Sequence, residues 1–390
     1  MKQKPVVWHI GGEDVRMRIP LLLTLRERGF KIGAVGSEDG NVFYKHEIPY
    51  WHYSLDRWIG PLADYNSFRQ LYFLFKEHKP DIVHAFDTKP GIIAPAAASK
   101  AGIPVRIRTV CGMGYVFSSG SLPSFFLKPL YRHFQAHASK ISTATVFQNK
   151  DDRDFFLSNN MVTKGCDELV LGSGIDTTRF KSGCPDEEYL KHLRNEIGIT
   201  KQRVITMITR LVKHKGVKEY LEAARRVRGI DENVIFLLAG PMSSEGCQAV
   251  SQADMDMYAN DVKYLGPRND IPALLAVSDL FVLPSYYREG VPRVLLEAGA
   301  MGLPIITTDM PGCKEVVRHD WNGWLVKPRD AQSLKDAIQQ ALGLSSDNLN
   351  VMGKRSLLHV EEHFTLGKVT EAYAEIYESA LNKNNHLPIP

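Results

Sequence analysis

The stretch Pro5–Val35, PVVWHIGGEDVRMRIPLLLTLRERGFKIGAV, carries the pattern from which the fold is read. Pro5–Ile10 is a short apolar, β-branched run, as expected of a buried strand, and Gly11-Gly12 breaks it. Arg18–Arg28 then places apolar residues at helical spacing and is closed by Gly29, a favoured residue just past a helix end. Lys31–Val35 returns as a second strand. Strand, helix and strand in succession form the βαβ unit of a parallel sheet.

The same rhythm runs on through Ile82–Ala85, Val105–Val110 and Ala144–Phe147. Near Gly172-Ser173-Gly174 the chain turns glycine-rich, which places a linker at about 172–182, followed by a polar helix over Glu187–Glu196. A second series of strands then begins: Val204–Thr209, Val234–Ala239, Val262–Leu265, Leu280–Leu283, Pro304–Thr308 and Gly323–Val326. A chain of 390 residues, 44% hydrophobic and 24% charged, is too long for one core. Two α/β domains are therefore expected, over 1–175 and 176–368, with a cleft facing the C-terminal ends of their strands. The amphipathic segment Val369–Leu381, within a final helix over 369–386, is expected to cross back to the first domain.

Several function classes fall away on composition. A net charge of +4 is far from the excess of a dedicated nucleic-acid binder. Five widely spaced cysteines without a CxxC pair suggest neither a disulfide framework nor a zinc site, and fit a reducing cytoplasm. The N-terminus lacks the long apolar core of a signal peptide, and no apolar run approaches the ~20 residues of a membrane span. A cytoplasmic protein is expected, peripheral on the inner face of the membrane if it meets one. Gly11-Gly12-Glu13-Asp14 does not keep the GxGxxG spacing of a dinucleotide-binding oxidoreductase.

The chemistry concentrates in Glu289-Gly-Val-Pro-Arg-Val-Leu-Leu-Glu297. With a helix from Val294 onward, Glu297 lies on it and Glu289 sits in the loop before its N-terminus. Gly290, Val291 and Arg293 can offer backbone N–H groups there, at the positive end of the helix dipole, where phosphate binds readily. An acid on either flank can grip sugar and ribose hydroxyls. Thr209-Arg-Leu-Val-Lys-His-Lys-Gly216 adds Arg210 and Lys215 between a strand and the helix Val217–Arg228. Two cations at a strand end can neutralise a diphosphate and stabilise it as a leaving group.

These segments, with Phe236–Gly240, Leu265-Gly-Pro-Arg-Asn-Asp-Ile271, Gly312–Glu315 and Asn322-Gly323, resemble the retaining glycosyltransferase family numbered four, also called glycosyl transferases group 1, of GT-B architecture. The resemblance implies two Rossmann-like domains facing a central cleft, a nucleotide-diphospho-sugar donor on the C-terminal one, no cofactor or required metal, and transfer with retention. It implies that Glu289 holds the donor sugar, Glu297 the ribose, and Arg210 with Lys215 the diphosphate. It adds Gly12, Gly240, Arg268, Ile271 and Val294 as further donor contacts. Asp81-Ile-Val-His84, Thr88-Lys-Pro-Gly91 and Thr109–Phe117 resemble a branch acting on polyprenyl-linked or surface-polysaccharide intermediates. Where many relatives place a donor-contacting histidine, this chain has Cys111.

For the acceptor the candidates are Asp14, His84, Lys89 and Gly112. His84 reads equally as a core-edge histidine, and Lys89 reads first as a solvated surface lysine. Asp254-Met-Asp256 resembles a metal-binding DxD but has no strand before it, and is assigned to the surface. Ser118–Ala138 mixes Leu122, Phe125, Phe126, Leu127, Leu130, Tyr131 and Phe134 with Lys128, Arg132 and His133. It reads as a helix packed on the first sheet or as one lying in a membrane interface. The expected function is transfer of a hexose or N-acetylhexosamine from a UDP-sugar to a lipid-linked or polysaccharide acceptor in cell-surface glycan synthesis. A nucleotide-sugar epimerase of the same fold and a non-catalytic saccharide-binding protein are the competing readings.

Overall fold

Seven short runs, the inner ones buried on both faces, line up as the first sheet. In the computed structural model, which describes residues 4–56, 60–113, 122–242 and 248–385, they are β1 (Val6–Ile10), β2 (Lys31–Gly36), β3 (Tyr50–His52), β4 (Ile82–Phe86), β5 (Val105–Val110), β6 (Ala144–Phe147) and β7 (Asp167–Leu169). All pair in parallel, in the order β3-β2-β1-β4-β5-β6-β7. Parallel sheets need helices on both faces, which explains why central strands such as Val6–Ile10 and Ile82–Phe86 read as largely apolar runs. One face is covered by Leu22 and Leu25 of the helix Ile19–Glu27 and by the last helix, Leu366–Asn385. The other is covered by Leu71 and Phe75 of Pro61–His78 and by Ala94, Ala97 and Ala98 of Pro90–Ala101.

This sheet belongs to a unit made of residues 1–174 and 366–390. The last helix buries Leu366, Val369, Tyr373, Tyr377 and Ala380, spaced three and four apart, so one stripe faces the sheet. Within that apolar contact Tyr377 Oη lies 2.6 Å from His84 Nδ1 and 3.1 Å from His9 Nε2. His84 Nε2 meets Thr109 Oγ1 at 2.7 Å. With both ring nitrogens engaged and no solvent exposure, His84 is a core residue and not an acceptor contact.

The second unit, residues 175–365, repeats the plan with β8 (Arg203–Ile208), β9 (Val234–Ala239), β10 (Val262–Tyr264), β11 (Leu280–Leu283), β12 (Ile305–Thr308) and β13 (Gly323–Val326). Their parallel order is β10-β9-β8-β11-β12-β13, the doubly wound arrangement. The helices Val217–Arg228 and Arg293–Ala300 bury Tyr220, Leu221, Leu295 and Leu296 in its core. Tyr220 Oη donates within the sheet layer, lying 2.8 Å from Ile205 O and 2.9 Å from Leu237 O.

Two local readings change. Arg18–Arg28 is divided into a 3₁₀ turn, Val15–Arg18, and an α-helix that starts at Ile19, because Pro20 is suited only to a helix's first turn. The chain returns to the first unit at Leu366 rather than at 369. Residues 114–121, which include the end of the Thr109–Phe117 motif and the start of the Ser118–Ala138 segment, lie outside the described residues. The same holds for the side chains of Leu122, Phe125 and Phe126.

Candidate active site

The second sheet reverses its winding between β8 and β11, and in such sheets ligands bind beyond the strand C-terminal ends at that point. Arg210 stands just past β8, exposed, and Lys215 closes the 3₁₀ turn Lys213–Lys215 that follows. Glu289 comes from the loop after β11. The fold joins them: Lys215 Nζ lies 2.6 Å from Glu289 Oε2, and Ser285 Oγ donates to Glu289 Oε1 at 3.0 Å. The two charged side chains are only 14% and 16% exposed, so their attraction is screened less than that of a surface pair.

Two glycines let these loops meet. Gly216 adopts φ 79°, and a Cβ there would fall 2.2 Å from Pro284 O. Gly312, after β12, adopts φ 83°, and its Cβ would fall 2.0 Å from Gly290 O. Both positions require the left-handed region and a close backbone approach, which only glycine combines. The loop then runs through buried Gly290 and Val291 to Pro292, the N-cap of Arg293–Ala300. That helix opens with the positive end of its dipole close in sequence to Glu289, and Leu295 N–H donates back to Pro292 O at 3.1 Å. Arg293 Nε donates to Glu297 Oε1 at 3.0 Å, one turn apart, and Val294 is half-buried beside them in sequence. Burial pushes the Glu297 carboxyl up, with Arg293 pulling it back. Lys215 and the Glu289 carboxylate thus meet past the ends of β8 and β11, with the dipole end of Arg293–Ala300 and the Arg293–Glu297 pair following in the same segment, a combination that suits a phosphorylated, hydroxyl-bearing ligand.

Gly240 follows β9, where its Cβ would fall 1.8 Å from Thr209 O, so it lies beside Arg210, and its N–H donates to Gly266 O at 2.8 Å. Arg268 and Ile271 follow the edge strand β10. The Arg268 guanidinium forks onto Asp270 at 2.6 and 2.8 Å and reaches Glu196 at 3.5 Å, so its contacts lead to the helix Glu187–Ile197 rather than to Lys215 or Glu289. Hydrogen bonding to Arg268 holds the Asp270 carboxyl low. Asp254 caps its own helix through Ser251 and pairs with Lys218 at 2.9 Å, a surface role.

In the first unit, Gly12 and Asp14 follow β1, and Gly112 is buried after β5. Lys89 is not a solvated lysine: its Nζ lies 2.5 Å from Asp64 Oδ1 and donates to Asp56 O at 2.6 Å. Sequence reasoning missed Arg18 and Asp87. The Arg18 guanidinium lies 4.3 Å from the Phe86 ring centroid, and its Nη2 is 3.4 Å from Cys111 Sγ. Asp87 ends β4 in the left-handed region at φ 70°. Its carboxyl is pushed up to about 6, first by burial and then by the charge of Asp14, against the pull of Arg18. Burial likewise pushes the Cys111 thiol up, which makes it a poor nucleophile. An acid immediately after a strand, as in Phe86-Asp87, was the available signal.

Residues 191–356 match the family glycosyl transferases group 1, and residues 13–145 match glycosyl transferase 4-like. Over 341 residues the chain is 30% identical to a UDP-Gal:alpha-D-GlcNAc-diphosphoundecaprenol alpha-1,3-galactosyltransferase of Escherichia coli, covering 85% of this chain and 84% of that one. It is 26% identical over 383 residues to an N,N'-diacetylbacillosaminyl-diphospho-undecaprenol alpha-1,3-N-acetylgalactosaminyltransferase of Campylobacter jejuni, covering 96% and 97% of the two chains. The crystal structure of Anabaena HepE in complex with UDP and glucose superimposes with a TM-score of 0.79 at 18% identity, over 97% of this chain and all of that one, a likeness of fold. The match to residues 191–356 spans the strand ends that carry Lys215 and Glu289, and the likeness to a 30%-identical relative runs through both units. The chain belongs to the glycosyl transferases group 1 family and is a glycosyltransferase of GT-B fold.

Proposed function

We propose that the enzyme moves a hexose or N-acetylhexosamine, with retention, from a UDP-sugar to a polyprenyl-diphosphate-linked saccharide. The observation that carries this reading is the joined Lys215–Glu289–Ser285 cluster at the reversal point of the second sheet. The diphosphate is met by Arg210, Lys215 and the N–H groups that open Arg293–Ala300, Glu289 holds the sugar, and Glu297 holds the ribose. As the glycosidic bond breaks, the cations stabilise the departing diphosphate, so the charge requirement is assigned to side chains and not to a metal. The acceptor hydroxyl attacks from the face the diphosphate leaves, and its proton passes to a leaving phosphate oxygen. The names of the Escherichia coli and Campylobacter relatives support the lipid-linked acceptor.

A peripheral membrane site fits that acceptor. The helix Leu122–Ile141 packs Tyr131, Gln135 and Ala138 inward, which agrees with the packed reading, and exposes Leu130 and Phe134, each 44% accessible, beside exposed Arg132 and His133. Apolar residues four apart flanked by basic ones suit an interface. Among the described residues no helix is long and apolar enough to cross a membrane.

The test is a thermal-shift comparison of UDP, GDP, ADP, dTDP and NAD at equal concentration, with Glu297→Ala as the control. Stabilisation by UDP, reduced in the variant, is expected. A response to another nucleotide replaces the donor, and no response to any removes the site. Conversion of the UDP-sugar without an acceptor would point to an epimerase.

A further inference from the structure

Ser285 follows β11 with no solvent exposure, and its hydroxyl oxygen meets three groups. It lies 3.0 Å from Glu289 Oε1 and 3.3 Å from His214 O, and it accepts from Tyr287 N at 3.3 Å. One hydroxyl carries one proton, so it serves only one of the two acceptors at a time. His214 O already has a donor, Tyr286 N at 3.0 Å. The carboxylate is nearer and charged, and hydrogen bonds to charged groups are roughly twice as strong as neutral ones. The proton therefore goes to Glu289, and the Tyr287 N–H, which takes a lone pair, fixes the direction of the hydroxyl.

The backbone around Ser285 is held as firmly as its side chain. Thr308 Oγ1, at the end of β12, donates to Ser285 O, and Thr307 Oγ1 donates to Leu283 O at 2.7 Å, all four residues being buried. The chain leading to Glu289 is thus tied to β12 on one side and to the turn Lys213–Lys215 on the other. Glu289 is gripped at both oxygens, by Ser285 at Oε1 and by Lys215 at Oε2. A ligand affects the two grips differently. Lys215 is 14% exposed and is assigned to the diphosphate, so its charge is shared once the donor binds. Ser285 has no exposed surface through which a ligand reaches it, and its hold on the carboxylate stays.

We infer that Ser285 is a positioning residue of the transfer reaction, whose hydroxyl keeps Glu289 aligned with the donor sugar while the diphosphate draws on Lys215. The inference rests on the reading of Glu289 as the contact of the sugar and Lys215 as that of the diphosphate. A hydroxyl that acts only through Glu289 has a signature of its own: its removal has no effect once Glu289 is gone.

A double-mutant cycle of Ser285→Ala and Glu289→Ala on the full chain tests this, read both in turnover and in urea unfolding. Turnover is followed as UDP release from UDP-glucose, UDP-galactose and their N-acetylhexosamine counterparts, with a polyprenyl-diphosphate monosaccharide as acceptor. Ser285→Ala should lower kcat roughly tenfold, near the worth of a hydrogen bond to a charged group, and leave UDP affinity within about twofold. In the Glu289→Ala background the same change should leave kcat unaltered. In unfolding, the two substitutions together should destabilise by less than the sum of their separate effects. Equal losses of kcat in both backgrounds, or additive losses of stability, would overturn the inference, because a serine that only supports the loop acts whether or not Glu289 is present. Ser285→Cys, which keeps the shape with a weak donor, replaces Ser285→Ala in the cycle if that variant fails to fold. A parent enzyme that releases no UDP from any of these sugars would count against the donor reading alone, and the unfolding cycle would still decide for or against Ser285.

Discussion

Lys215 and Glu289 are 74 residues apart in sequence, yet their charged atoms meet at 2.6 Å where β8 and β11 end. The carboxylate keeps the lysine in place before any ligand arrives, and it also sets a negative charge beside the proposed diphosphate position. Two effects of opposite sign follow for Glu289→Gln. Exchanging the carboxylate for a neutral amide, which keeps one weaker acceptor oxygen and turns the other into a donor, should lower kcat by roughly 10²–10³, the scale for removing one preorganised electrostatic contact. Loss of the negative charge should leave UDP affinity unchanged or tighter. Lys215→Ala should weaken both. UDP-release kinetics with isothermal titration of UDP separate the two variants, and equal loss of UDP affinity in both would refute this division of roles.

Gly312→Ala should damage the site without touching a charged group. The new Cβ would lie 2.0 Å from Gly290 O at φ 83°, so strain and a backbone collision combine. The loop that carries Glu289 must move, at a cost of about 2 kcal/mol or more. Thermal unfolding should show a midpoint several degrees lower, and the UDP-induced shift should disappear. A variant with full UDP response would mean that the Glu289 loop does not depend on this contact.

The central strands were legible because both faces are buried. Val234–Ala239 and Leu280–Leu283 read as apolar runs and form strands over the same residues. Tyr50–His52 and Asp167–Leu169 were missed: each is a three-residue edge strand with exposed positions, too short to carry a period. The Lys215–Glu289 pairing was legible as two motifs but not as a contact, because long-range approach depends on Gly216 and Gly312, whose role appears only in three dimensions. His84 shows the reverse. A histidine near a strand end looks like a site residue until a tyrosine from the last helix is found against it.

His9 and His84 should make the first unit acid-sensitive. Burial, then the charge of Arg18, lowers His9 to about 3, and burial followed by His9 and Arg18 lowers His84 well below its ordinary value. Tyr377, Thr109 and Tyr373 face these rings from the last helix and β5. In the unfolded chain both histidines protonate below about pH 6.5, whereas the folded rings stay neutral. Stability is therefore complete above about pH 6.5 and falls as pH drops toward the folded values, by about 1.4 kcal/mol per unit for each histidine. Urea unfolding from pH 7.5 to 5 should show this slope, and His9→Gln should lose roughly half of it. An unchanged slope in that variant would exclude His9 as a source.

Asp87→Asn should have the opposite pH signature. A carboxyl raised to about 6 in the folded chain, above its unfolded value near 3.8, is held ionised at neutral pH against its surroundings. The destabilisation is present above about pH 6 and disappears as pH falls toward 4, so removing the charge helps only on the alkaline side. The asparagine variant should melt a few degrees higher than the parent at pH 7.5 and level with it near pH 4.5. Asparagine also tolerates the left-handed φ of 70° that this position requires, so the comparison isolates the charge. A variant less stable at pH 7.5 would show instead that Arg18 needs the ionised carboxylate, and that the acid and its cation form a working pair at the end of β4.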